Sequence, residues 1–419
     1  MPASLRTAET TVPEGFKETE IGPIPVDWNV VPVSNLARVK YGKAKPKQEG
    51  TIPAVGSGGI YAWVNEALVD FPTLVIGRKG TAGRAWLMDR PCWPSDTTFY
   101  LEWAQGVDIH FLFGYLTLNP LSGEHAKTTL PSLARPDLEN YLVPLPSLPE
   151  QRRIAHALGT IQQAIAAQDD LITAAREVKR SLMQRLFTYG PSAEPALTKE
   201  TEFGIVPEHW EIVPLETCAF VQTGATKGRK LGDSRTVNMP YLRVANVQDG
   251  YLDLSEVKHI QIRESEIERY SLQSGDVVLT EGGDFDKLGR GFIWCGQIPN
   301  CTHQNHIFAV RPNRERLLPE YLAYLVQSDY GKSYFLTVAH RTTHLACINK
   351  MKLQAFPTLV AALDEQERIA SLLSVADRKI EAEEQRKAAL QALFKTMLHQ
   401  LMTGQIRLGN GWDSPKERF

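Results

Sequence analysis

The chain says nearly the same thing twice. Thr19-Glu20-Ile21-Gly22, followed by Pro25, Trp28, Val31-Pro32, Val39 and Gly42, returns as Thr201-Glu202-Phe203-Gly204, followed by Pro207, Trp210, Val213-Pro214, Val221 and Gly224, each pair 182 positions apart. A second pair of landmarks, Glu150-Gln151-Arg152-Arg153-Ile154-Ala155 and Glu365-Gln366-Glu367-Arg368-Ile369-Ala370, is 215 apart, so the stretch between landmarks is 33 residues longer in the second copy. A fixed beginning, a variable middle and a fixed end are what two related modules need if they read different things from one rigid frame.

Within each copy the texture changes once. From Gly22 to Pro146 short β-like runs (Val30-Val31, Thr73-Leu74-Val75-Ile76, Thr98-Phe99-Tyr100-Leu101) are broken by turns at Gly56-Ser57-Gly58-Gly59 and Gly77-Arg78-Lys79-Gly80. From Pro149 to about Phe187 proline disappears and apolar residues recur at alternating steps of three and four. Positions 154, 158, 161, 165, 168, 172, 175, 179, 182 and 186 form a heptad seam led by Ile154, Leu158, Ile161, Ile165, Ile172, Leu182 and Leu186. The same register 215 residues on gives Ile369, Leu373, Ile380, Leu390, Phe394, Met397 and Leu401 as its apolar anchors. Acidic first turns (Glu150; Asp364-Glu365) start these helices, and Gly190-Pro191 and Gly404 stop them. Each would run roughly 55–60 Å at 1.5 Å per residue. A seam that long stays wet on a lone helix, so the expected partner is the other copy, the alternative being that each helix packs on its own domain.

A length of 419 residues implies two to four folding units, and 43% hydrophobic with 22% charged residues is the balance of a globular protein. The net charge of −2 decides nothing about nucleic acid, because local clustering matters. Five cysteines without CxxC spacing (Cys92, Cys218, Cys295, Cys301, Cys347) suit free thiols in a reducing cytoplasm. No signal peptide or window of about 18 uninterrupted apolar residues is evident, so the expected location is cytoplasmic, with no membrane partner.

Catalytic signatures are hard to find. Asp329-Tyr330-Gly331-Lys332-Ser333 ends like a P-loop, but Val326 stands where its first glycine belongs. Neither GxSxG nor HExxH occurs. Cys295, Cys301, His303 and His306 have the chemistry of zinc ligands without the usual spacing, and read either as a metal site or, more simply, as buried thiols with polar neighbours.

The basic residues are more informative. Arg38, Lys40, Lys43, Lys45 and Lys47 put five cations into ten residues, and the 182 offset carries Lys45 and Lys47 onto Lys227 and Arg229, with Lys230 and Arg235 just beyond. Arg78, Lys79 and Arg84 form a second group, matched loosely by Lys287 and Arg290. Cations beside glycine let backbone amides and side chains approach phosphates together; the bland alternative is a solvated loop. Nearby groups able to read base edges are Thr97-Thr98, Lys127, Thr128, Thr129 and Ser132 in the first copy. The second copy offers Gln304, Asn305 and His306, and the run His340-Arg341-Thr342-Thr343-His344.

These residues together resemble a family. Phe16 to Trp28, Ile52-Pro53-Ala54-Val55-Gly56-Ser57-Gly58-Gly59-Ile60, Val75-Ile76-Gly77-Arg78-Lys79-Gly80-Thr81-Ala82-Gly83 and Val143-Pro144-Leu145-Pro146-Ser147-Leu148-Pro149-Glu150-Gln151 resemble the specificity (S) subunit of type I restriction–modification systems. The likeness runs from Phe16 to about Gly404, in the family's order of recognition domain, long helix, recognition domain, long helix. It implies an α+β protein: two globular α/β target recognition domains separated by two long helices forming an antiparallel coiled coil, with an internal pseudo-two-fold repeat. Expected segments are a flexible leader (1–15), recognition domain 1 (16–147), a central helix (148–190), a linker (191–200), recognition domain 2 (201–362), a C-terminal helix (363–404) and a poorly ordered tail (405–419).

The resemblance further implies a non-catalytic subunit in which each domain reads half of a bipartite, gapped site on double-stranded DNA. The helix pair would set the spacing and dock two methyltransferase (M) subunits, which nuclease–translocase (R) subunits join. No cofactor is expected in this chain; S-adenosylmethionine would belong to M, and ATP with Mg to R. The rival readings from residues alone are a zinc-dependent nuclease and a protein-only coiled-coil adaptor. One departure from the family pattern is Leu279-Thr280-Glu281-Gly282-Gly283, where the first copy has Ile76-Gly77-Arg78-Lys79-Gly80.

Overall fold

In the computed structural model of the chain, residues 12–104, 106–121, 132–232, 234–283, 288–341 and 346–409 are described. It resolves into two compact units, Met1–Asp169 with Gln385–Phe419, and Asp170–Glu384. The division falls inside the two long helices rather than at the ends of the expected linear segments. The reason is packing: each unit buries the beginning of one long helix and the end of the other.

The first unit carries a four-stranded antiparallel sheet of β1 (Ala37–Tyr41), β2 (Thr73–Gly77), β3 (Ala85–Met88) and β4 (Thr98–Trp103), in the spatial order β1-β4-β2-β3. The second unit repeats it with β5 (Ala219–Thr223), β6 (Asp276–Thr280), β7 (Gly291–Trp294) and β8 (Ile307–Pro312), in the order β5-β8-β6-β7. Register repeats as well: Phe99 lies opposite Tyr41 and Ile76, as Phe308 lies opposite Thr223 and Leu279. The offset between matching positions rises from 182 at Tyr41 and Thr223 to 203 at Gly77 and Thr280. Most of the 33 extra residues therefore sit between the first and second strands. There the tight Gly56–Gly59 hairpin is replaced by a long excursion between strands Thr236–Leu242 and Lys258–Arg263. Gly42 and Gly224 recur in the repeat because the backbone of the neighbouring segment, at Ser95 and His303, occupies the space a Cβ would need.

The long helices span Leu148–Tyr189 and Leu363–Met402. Both stop at a glycine in the left-handed region, Gly190 at φ 78° and Gly404 at φ 70°, a conformation that costs glycine nothing. None of the seam positions is exposed, and the polar ones are paired or enclosed: Lys387 bonds Asp169 in the first unit, Lys179 bonds Asp377 in the second, and Gln168 and Glu383 are buried. In the second unit Arg176 also bonds Glu384.

The repeated Glu-Gln pair explains how each helix is fastened. Glu150 accepts the indole N–H of Trp28 at 3.3 Å, and Glu365 accepts that of Trp210 at 3.2 Å, all four side chains being buried. Gln151 takes the Asp108 N–H and donates to the carbonyls of Pro146 and Gly106. Gln366 takes the Leu318 N–H and donates to the carbonyls of Ala361 and Arg316. Around these bonds lie Ile154, Leu158, Leu398 and Leu401 in one core, and Leu186, Phe187, Ile369 and Leu373 in the other.

Two expectations need correction. The tail is not loose over residues 405–409: Arg407 binds Glu150 and Asp27 and lies 5.7 Å from the Trp28 ring, and Leu408 is buried. This salt link joins residues 257 and 380 positions apart, which no local pattern reveals. The linker is also shorter than expected, because Thr198–Thr201 is a strand paired with Gly204–Pro207.

Replacing Gln366 by Ala should lower unfolding stability by about 2–4 kcal/mol, since it strands the Leu318 N–H and two carbonyls in the core. Urea unfolding read as a midpoint shift at constant slope checks this; a loss under about 1 kcal/mol would mean that the amide is not the fastener.

Candidate nucleic-acid interface

Antiparallel pairing brings distant segments to one end of the first sheet. The C-terminal ends of β1 and β2 lie beside the N-terminal end of β4, so the residues following Tyr41, those following Gly77 and those preceding Thr98 become neighbours. Lys43 bridges to Ser95, and the Arg78 N–H donates to the Thr97 carbonyl at 2.8 Å. The Arg78 carbonyl in turn accepts the Leu133 N–H at 2.8 Å, and Lys79 bridges to Ser132. Ser57 Oγ donates to the Thr97 carbonyl, tying in the Gly56–Gly59 turn.

The rim gathers cations, two of them set against aromatic rings. Lys43, Lys45, Lys47, Lys79 and Arg84 are exposed. Arg78 sits 5.3 Å from the Tyr41 ring, and Arg84 sits 4.3 Å from that of Trp86. Such stacking holds a guanidinium in place while leaving its N–H groups for an anion or a base edge. Lys40 lies back along β1, 3.6 Å from Glu102. Thr98 is wholly buried, its hydroxyl bonded to the Ser95 carbonyl, whereas the Thr97 hydroxyl is 2.7 Å from Ser95 Oγ on the rim.

The second unit builds the same rim from matching positions. Ala225 bridges to Gln304 as Lys43 does to Ser95, and the Asn305 N–H donates to the Ala225 carbonyl. The Glu281 N–H donates to the His306 carbonyl at 2.9 Å, and Ile348 donates to the Glu281 carbonyl at 2.8 Å. The Thr280 N–H donates to the Arg290 carbonyl as the Gly77 N–H does to that of Arg84, so Arg84 and Arg290 are counterparts. Lys227 and Lys230 are exposed, but Arg229 is held by the Glu266 carboxylate, which also raises its pKa. Arg290 donates to Gln248 at 3.2 Å. Arg341 lies in the strand His340–Arg341, which pairs with Ala346–Cys347 beside Gly282 and Gly283. Lys127, Thr128, Thr129, Lys287, Thr342, Thr343 and His344 lie outside the described residues.

Sequence reasoning missed three members of this rim: the stacking rings Tyr41 and Trp86, and Glu281. The signal for Glu281 was present where Leu279-Thr280-Glu281-Gly282-Gly283 puts an acid at the place of Arg78.

The cysteine–histidine group does not assemble. Among the described residues no three of His, Cys, Asp and Glu are placed to hold a metal ion. Cys301 and His303 are buried, Cys295 and His306 exposed. Burial pushes the Cys301 thiol up to about 12 and the His303 imidazole down to about 4, so both rest neutral near pH 7. The Gly-Lys-Ser run lies within the helix Asp329–Val338, whose first turn is capped by Ser328 rather than by a strand and phosphate loop. No helix among the described residues is long and apolar enough to cross a membrane.

Comparison with known proteins matches the chain twice, over residues 25–174 and 207–392, to one family model, the type I restriction modification DNA specificity domain. The type I restriction enzyme MjaVIII specificity subunit of Methanocaldococcus jannaschii is 26% identical over 423 residues, covering 95% of this chain and 97% of that one. The EcoKI specificity subunit of Escherichia coli (strain K12) is 23% identical over 312 residues, covering 72% of this chain and 65% of that one. Among solved structures, the type I restriction–modification S subunit from M. genitalium aligns with a TM-score of 0.55 at 15% identity, covering 89% of this chain and 96% of that one. At that identity the likeness concerns the fold alone.

Proposed function

The chain belongs to the type I restriction modification DNA specificity family, and from that premise we propose that it is a non-catalytic subunit that selects the DNA on which partner enzymes act. Each domain reads one half of a bipartite, gapped site. The observation that carries this reading is the rim built twice: two sheets of one topology gather cations, glycine turns and polar side chains at the same end. Lysines and arginines there grip phosphates, while Gln304, Asn305 and neighbouring groups approach base edges.

The two long helices act as the spacer, joined along their seams as an antiparallel coiled coil. Supporting this, the two pairs within the second unit, Arg176 with Glu384 and Lys179 with Asp377, run in opposite directions along the two helices. Two pseudo-equivalent faces on one chain account for recruitment of two copies of a methyltransferase subunit, with nuclease–translocase subunits joining that complex. S-adenosylmethionine and ATP with Mg²⁺ reside in those partners, and the complex works in the cytoplasm.

Two outcomes are expected. Lys43→Ala with Lys79→Ala, in a complex with the methyltransferase partners, should weaken binding to all duplexes alike. The log–log salt slope should fall by about 2, near 0.9 for each phosphate no longer neutralised. An unchanged slope would remove these lysines from the interface. Inserting one heptad after Ala167 and one after Ala389 should widen the gap between half-sites by about 10 Å, or roughly three base pairs, and leave both half-sites intact. Unaltered spacing of the methylated motif would rule out the spacer.

A further inference from the structure

At one position of the shared frame the two repeats carry opposite charge. Arg78 and Glu281 make the same pair of backbone bonds, each donating its N–H to the segment before the paired strand and accepting an N–H from Leu133 or Ile348. Arg78 offers donors, stacked near Tyr41. Glu281 offers only acceptors.

Its carboxylate is also held. His306 Nδ1 lies 2.6 Å from Glu281 Oε2, and His306 Nε2 lies 3.4 Å from the Asn305 amide nitrogen. In the tautomer with its proton on Nδ1, His306 donates to Glu281 and its Nε2 accepts from Asn305, so that the three side chains form a chain with one direction. Among the described residues Glu281 Oε1 has no hydrogen-bond partner, and the side chains of Glu281 and His306 are 30% and 55% exposed.

An anion at this place is unfavourable toward phosphate, so it cannot serve the grip that the lysines provide. The donors a duplex does present to a carboxylate are exocyclic amino groups, cytosine N4 or adenine N6 in the major groove. We propose that Glu281, oriented by His306 and Asn305, is a specificity-determining residue of the second domain that accepts a hydrogen bond from a base amino group, while Arg78 at the matching place in the first domain addresses guanine or phosphate. This rests on the DNA-recognition reading above and adds to it a chemical difference between the half-sites.

The test uses the full chain assembled with its methyltransferase partners, as wild type and as Glu281→Gln. Each is measured for binding against duplexes altered at one base pair at a time across the motif that the wild type methylates. The expected result is that discrimination at a single C·G or A·T position in one half-site falls by about tenfold or more, with the other half-site and the gap unchanged. The substituted duplex that regains binding tells cytosine from adenine. Identical discrimination in both proteins would overturn the proposal, as would uniform weakening or complete loss at every position, which would make Glu281 a structural member of its turn. A wild-type complex lacking any bipartite preference would instead overturn the recognition reading, and this inference with it.

Discussion

Two buried carboxylates fasten the architecture. Glu150 and Glu365 each take the indole N–H of a tryptophan at the start of a domain, and the glutamine that follows stitches three backbone groups of that domain to the first turn of a long helix. A carboxylate or amide in such a place cannot lose its partners cheaply, because burial without a bond costs on the order of 1–3 kcal/mol per group. Rotation of a helix against its own domain is therefore opposed at both junctions. The same requirement explains why Trp, Glu and Gln recur at matching positions while the residues between them vary.

The copies are not identical at this joint. In the first, Glu150 is neutralised by Arg407, which reaches it from beyond the end of the second long helix and also binds Asp27. Those bonds hold Asp27 below the usual carboxylate range and keep Arg407 protonated. In the second, His209 approaches Glu365 at 3.1 Å instead. A shared frame tolerates different partners so long as the buried carboxylate is hydrogen-bonded. The rims obey the same logic: backbone bonds that position Arg78 and Glu281 are equivalent, and the side chains hung on them differ.

Much of this was legible in the sequence for physical reasons. The helices announce themselves because a seam repeats every three or four residues over 40 positions, and their stops because Gly190 and Gly404 supply a left-handed turn. The cationic loops stood out because the repeat placed them twice. What stayed hidden depends on pairing between remote residues. Nothing local tells that Arg229 is occupied by Glu266, that Thr98 faces the core, or that Arg407 returns to Asp27. The metal reading of Cys295, Cys301, His303 and His306 failed likewise, since strand pairing sends Cys301 and His303 inward and leaves Cys295 and His306 outside.

That this chain sets where partner enzymes act follows from its family and from the rim built twice. It is tested most directly by sequencing methylated adenines in DNA from cells that carry the gene with its neighbours, and again after deletion of this gene alone. The expected result is a bipartite, gapped motif that vanishes on deletion. A methylation pattern that survives the deletion unchanged would contradict it.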